Sequence, residues 1–238
     1  MKLEIRKAQS RGVTEIDWLI SQHTFSFGNY QDPNYMGFES LRVINEDSVA
    51  PRGGFPKHPH KNMEIVSYVL EGALEHEDSM GNGSIIYPGE IQLMSAGTGV
   101  THSEYNHSNE APVKFLQIWF LPDQTDLEPR YEQKAFPTER KEGQFCLLAS
   151  KDGREGSVTI HQDVLIYDAF LDEGDKATYR PSKERRIWVQ VARGQVLMNE
   201  HLLSEGDGVG ISEPGSLEFS HGNEAQILIF DMKPLPNS

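Results

Sequence analysis

Residues 65–74, IVSYVLEGAL, can be laid over residues 187–196, IWVQVARGQV, with Gly72 falling on Gly194. Both are short runs of β-branched, aromatic and aliphatic residues closed by a glycine, the mark of a strand and its turn. The match continues outward: PGE (88–90) falls near EGD (205–207), and VKFLQIWF (113–120) near AQILIFDM (225–232). Each half therefore reads as strand, glycine turn, strand, glycine–acid turn and an apolar closing strand. Turn residues punctuate the rest of the chain roughly every 8–12 residues, which indicates an all-β protein. Two stacked β-barrels of similar topology account for the repeat. The polar stretch 122–144 reads as the crossover, which divides the chain into domains 1–138 and 139–238. Only segments 14–20 and 127–140 are candidates for short helices.

Two further stretches carry chemistry. His58-Pro59-His60 is followed about forty residues later by His102-Ser103-Glu104. Side chains at i and i+2 of a strand share a face. Two neighbouring strands offering these pairs inward would gather three imidazoles and a carboxylate around one point, a donor set for a first-row divalent ion. Under the Gly72/Gly194 alignment, Arg180 and Ser182 replace His58 and His60, and only His221 stands in the second half near the match to His102. One metal site, in the N-terminal half, is the expectation. Glu64 is the alternative carboxylate. On a regular strand it lies roughly 13 Å along from His60, whereas Glu104 lies roughly 6–7 Å from His102. Glu104 is favoured, with Glu64 left as an outer group that orients a histidine.

Other residues read more plainly. His76 is expected on an exposed turn, and His23, His107, His161, His201 and His221 have no partner pattern. Phe25, Phe27, Phe55, Met63 and Met94 could line a pocket, although core packing is the simpler role for any one of them. Trp18, Trp119 and Trp188 read as core or interface anchors. Cys146, the single cysteine, excludes an intrachain disulfide and reads as a small buried hydrophobe. The net charge of −14 repels phosphate backbones and argues against direct nucleic-acid binding. The run Lys183-Glu184-Arg185-Arg186 is too short to reverse this and reads as a solvated loop or strand edge. No apolar stretch reaches the length of a membrane span or a signal sequence, so the expected location is the cytoplasm.

GGFPKHPHKNME (53–64) and GTGVTHSEYN (97–106) resemble the two motifs of the cupin superfamily. The longer stretches HTFSFGNYQDPNYMGFESLRVINED (23–47), HPHKNMEIVSYVLEGALEHEDSMGN (58–82) and PGEIQLMSAGTGVTHSEYNHS (88–108) resemble the pirin family, and within it the bacterial quercetin 2,3-dioxygenases. The likeness is strong over about residues 1–135 and weaker beyond. It departs from general cupins in a shifted first glycine and in Gly97, which stands where a proline is usual.

The resemblance implies a bicupin of two jelly-roll barrels with metal only in the first, held by His58, His60, His102 and Glu104. It implies one divalent transition ion, Fe2+ favoured, with Cu, Ni, Mn, Co or Zn accommodated by the same donors. It implies a dioxygenase that opens the flavonol ring with O2 and releases CO, with Glu104 taking the substrate's hydroxyl proton. A flavonol-like small molecule and O2 are then the partners, with no nucleic acid and no membrane. A monomer is expected, because two internal barrels supply the packing that single-barrel cupins gain by dimerising. The alternative implied by eukaryotic pirins is a metal-dependent redox sensor that binds a regulatory protein partner without turnover.

Overall fold

The structure is a computed structural model, and it describes residues 1–236. Twenty strands carry the described chain. The first twelve are β1 (Lys2–Arg6), β2 (Gly12–Ile16), β3 (Leu19–His23), β4 (Leu41–Val49), β5 (Gly54–His60), β6 (Glu64–Glu71), β7 (Leu74–Asp78), β8 (Gly83–Ile86), β9 (Glu90–Ser95), β10 (Val100–Asn106), β11 (Val113–Phe120) and β12 (Arg130–Ala135). The remainder are β13 (Cys146–Ser150), β14 (Val158–Thr159), β15 (Val164–Leu171), β16 (Lys176–Tyr179), β17 (Arg186–Met198), β18 (His201–Ser204), β19 (Gly208–Glu213) and β20 (Leu217–Met232). Among the described residues helix is confined to three single 3₁₀ turns, and none is long and apolar enough to cross a membrane.

The chain forms two compact units. One comprises Gly12–Phe136 with Ile160–Gln162; the other comprises Met1–Arg11, Pro137–Thr159 and the residues from Asp163 on. A single cut near residue 138 therefore misses two exchanges. Strand β1 pairs with β19, and residues 160–162 return to the first unit, where the Asp123 N–H donates to the His161 carbonyl.

The internal repeat is visible in the strand order. The first unit has a sheet ordered β12-β9-β6-β11-β4-β3-β2, and the second a sheet ordered β1-β19-β17-β20-β15-β13-β14. Strand β6 matches β17, β9 matches β19 and β11 matches β20, as the aligned sequences require. The edge position filled by β12 in one unit is filled by β1 in the other.

The two helix candidates are strands. Segment 14–20 lies in the β2–β3 hairpin. Within 127–140, β12 pairs with β9 and only Thr138–Arg140 turns helically. Pro129 and Pro137 bracket too few residues for a helix, and the open edge of β9 satisfies the β12 backbone instead.

In the first unit a second sheet, β5-β10-β7-β8, packs on the long one through Leu19, Val49, Val69, Leu74, Ile86, Val113 and Phe115. Phe25 and Met94 are buried in the core, and Met63 packs beside Met94. In the second unit Val189, Val191, Met198, Ile211, Phe219 and Ile229 fill the interior. Trp188 and Cys146 are buried there. Arg185 of the basic run is tied to Asp163 at 2.7 Å and also to Asp231.

Gly97 closes the turn that leads into β10 with φ +46°, and a Cβ there would lie 2.0 Å from the Leu127 carbonyl oxygen. Both the left-handed backbone and the close approach call for glycine. At Gly54 the added Cβ would lie 2.5 Å from the Glu104 carbonyl oxygen, so the β5–β10 contact also depends on a missing side chain.

Candidate metal centre

Strands β5 and β10 run antiparallel with His102 opposite His58 and Val100 opposite His60. The i, i+2 period puts His58 and His60 on one face, and the register brings His102 to the same place. The three rings form a near-equilateral triangle, with centroids 4.4 Å (58–102), 4.8 Å (58–60) and 4.8 Å (60–102) apart. One nitrogen from each lies within 4.8 Å of the others.

The His58 Nδ1–H donates to the Pro56 carbonyl at 2.8 Å, which leaves the lone pair on Nε2. That Nε2 stands 3.0 Å from the Nε2 of His102. Two nitrogens bound to one ion at about 2.0–2.1 Å and roughly at right angles are about 3 Å apart, so the separation fits shared ligation. His60 packs edge-on against Trp119, with centroids 5.0 Å apart.

Burial, reinforced by the neighbouring imidazoles, pushes His60 down to about 4 and His102 down to about 3. Both rings are therefore neutral donors at physiological pH, as ligation requires. In the unfolded chain these histidines take protons near pH 6.5, while the folded protein holds them neutral. Their contribution to stability is full above about 6.5 and is lost as the pH falls toward 4. The urea midpoint of metal-free protein is expected to drop between about pH 7 and 4.5, and the drop should shrink in His102→Gln, which has no proton to gain. An equal drop in both proteins would show that these rings do not carry the effect.

Beyond His102 the register shifts by a bulge, and Glu104 lies opposite Phe55 on one side and His76 on the other. Glu104 is buried, 2% exposed. It accepts from Ser67 Oγ at 2.9 Å and from Gln117 Nε2 at 2.8 Å. It does not fall in the imidazole trio. It shares a second set of ligand atoms, within 4.8 Å, with His102 and His76. His102 is thus the hinge between two overlapping donor groups.

His76 is not on an exposed turn. It is fully buried, its ring centroid is 5.3 Å from that of His102, and its Nε2 lies 3.1 Å from Asp78 Oδ2. The pairing of β7 with β10 places it there, and that pairing cannot be read from an isolated histidine. Glu64 is also corrected. It lies on β6, in the other sheet, accepts from Ser95 Oγ at 2.8 Å and takes the His161 backbone N–H at 3.0 Å. The histidine beside it is His161 rather than a member of the trio. Burial raises its carboxyl pKa, against those hydrogen bonds.

A cavity of about 490 Å³ opens beside the trio, lined by Phe27, Phe55, His58, His60, Glu104 and Trp119 among others. The volume lies in the range of small-molecule pockets, roughly 300–1,000 Å³. Two of the five candidate pocket residues, Phe27 and Phe55, line it; Phe25, Met63 and Met94 do not. His23 also reaches the wall, held by Thr14 Oγ1 and Asn45 Oδ1 at 2.8 Å each.

Residues 4–120 match the family model described as Pirin, and residues 147–232 match the quercetinase C-terminal cupin domain. A protein named quercetin 2,3-dioxygenase from Escherichia coli K12 is 44% identical over 97% of this chain and 99% of its own. The crystal structure of YhhW from Escherichia coli superposes with a TM-score of 0.94 at 42% identity and covers all of both chains. A second structure, bacterial pirin YhhW in complex with nickel(II), gives a TM-score of 0.93 at 43% identity, over 98% of this chain and 100% of that one. With two matched cupin domains and near-complete overlap with these relatives, the chain belongs to the pirin family.

Proposed function

We propose that the protein is a metal-dependent dioxygenase that opens the central ring of a flavonol with O2 and releases CO. The observation that carries this reading is the convergence of His58, His60 and His102, of which His58 and His60 line an aromatic-walled cavity. The name of the 44%-identical relative supports the reaction class, and the nickel(II) in the related pirin structure supports a divalent ion.

In this reading His58, His60 and His102 hold one divalent transition ion, and Glu104 is the fourth group. Fe2+ is the favoured ion, and the nitrogen–oxygen donor set also suits Ni, Cu, Co, Mn or Zn. Such an ion, when bound, supplies Lewis acidity toward a substrate hydroxyl.

The chain supplies the rest. Pro56 fixes the His58 tautomer through its carbonyl. Ser67 and Gln117 hold the Glu104 carboxylate from two sides, leaving it as the base that takes the flavonol 3-hydroxyl proton at a carboxylate oxygen. Phe27, Phe55 and Trp119 give a planar ring apolar walls, which exclude water from the reacting carbon atoms. Every group comes from one chain, so the reading needs no second subunit.

Metal-stripped protein reloaded with Fe(II), then given quercetin and air, is expected to release CO as the flavonol absorbance falls. Tight metal binding without CO from Fe, Ni, Cu, Co or Mn would overturn the reading and favour a sensor.

A further inference from the structure

Strand β4 carries two acids in succession that meet opposite fates. Successive side chains point to opposite faces. Glu46 is tied to Lys114 Nζ at 2.9 Å. Asp47 points to the other face and lines the cavity. It is only 3% exposed, and its Oδ1 has no hydrogen-bond partner among the described residues. Its one side-chain hydrogen bond comes from Ser21, the residue opposite it on β3. Asn45, two residues earlier, shares that face and also reaches the cavity.

A buried carboxyl with an unmet oxygen is costly to keep. Burial pushes it up to about 7, and the Glu104 and Glu46 charges add to the shift against the Ser21 hydrogen bond. Leu19 and Phe55, which also line this cavity, belong to the adjoining apolar cluster. The metal-side chemistry leaves Asp47 unused. Its unmet acceptor matches a hydroxyl donor on a molecule seated in the cavity.

We propose that Asp47 is a substrate-binding residue whose free oxygen accepts a hydrogen bond from a second ring hydroxyl, so that the pocket selects a polyhydroxylated flavonol over one bearing only the 3-hydroxyl. The inference rests on the flavonol reading above and adds its specificity. Hydroxyl recognition by a buried acceptor discriminates strongly, because the analogue that lacks the hydroxyl leaves that acceptor unpaired.

The test uses metal-loaded protein under nitrogen, which prevents turnover. Quercetin and 3-hydroxyflavone are titrated separately, and Kd is read from quenching of tryptophan fluorescence. The wild type is expected to favour quercetin by about tenfold or more. Asp47→Ala, and the bulkier apolar Asp47→Leu, should each bring the two constants within about twofold by weakening quercetin alone. Unchanged 3-hydroxyflavone binding reports an intact pocket in either variant. Asp47→Asn retains an acceptor and should keep most of the preference. If the wild type binds both flavonols equally, or if the preference survives in the apolar variants, the Asp47 inference is overturned and the flavonol reading stands. If the wild type binds neither flavonol, the flavonol reading falls and takes the inference with it.

Discussion

His60→Ala is expected to lower CO-releasing turnover of quercetin by more than about 100-fold, a floor set by what the loss of an outer-shell partner alone costs a metal site. His60 is one corner of the imidazole triangle, 4.8 Å from each of the other two ring centroids. Its removal leaves two imidazoles, and the remaining carboxylate is already held by Ser67 and Gln117. The metal content of the purified variant should fall in parallel. The fold should survive, because β5 is paired to β10 through its backbone and the lost ring takes away only its contacts with the rings of His58, His102 and Trp119. Elemental analysis and CO trapping on the same preparation check both halves. A variant with full metal content and undiminished CO would remove His60 from the site.

The features that were legible in the sequence are periodic ones. The two-residue spacing of His58/His60 and His102/Glu104 fixes which side chains share a face, because strand geometry makes that local. The repeat was legible for the same reason, since runs such as 65–74 and 187–196 carry their own strand pattern. What could not be read depends on partners distant in the chain. His76 enters the site only because β7 lies beside β10. Strand β1 joins the second unit only because β19 has an open edge. Asp47 could have been assigned a face from its alternation with Val43 and Val49, but no local signal says that this face opens on a cavity. Segments 14–20 and 127–140 form strands and not helices because strand edges nearby offer their backbones partners. The Glu104 placement is the most instructive case. The i, i+2 rule puts it beside His102, and the two do share a set of ligand atoms; the bulge between them and the neighbours Ser67, Gln117 and His76 are what the spacing does not reveal.

That bulge makes Glu104→Gln the most informative single substitution after the histidine. The change keeps the volume and removes the charge. Its amide can be accommodated: the carbonyl oxygen can accept from Gln117 Nε2, now at 2.8 Å from a carboxylate oxygen. The new N–H can donate to Ser67 Oγ, whose hydroxyl rotates from donor to acceptor. Stability should therefore change little, and flavonol binding measured without oxygen should persist. The proton acceptor is gone, however, and kcat is expected to fall by about 10²–10⁴. Metal stoichiometry separates the two roles of this side chain. With the ion retained by the three imidazoles, the loss reports the base. If the ion is lost as well, Glu104 is a ligand whose negative charge the site requires. An unchanged kcat would assign the proton to another group, and Asp47, the other buried acid at the cavity wall whose charge couples to Glu104, would be the next to replace.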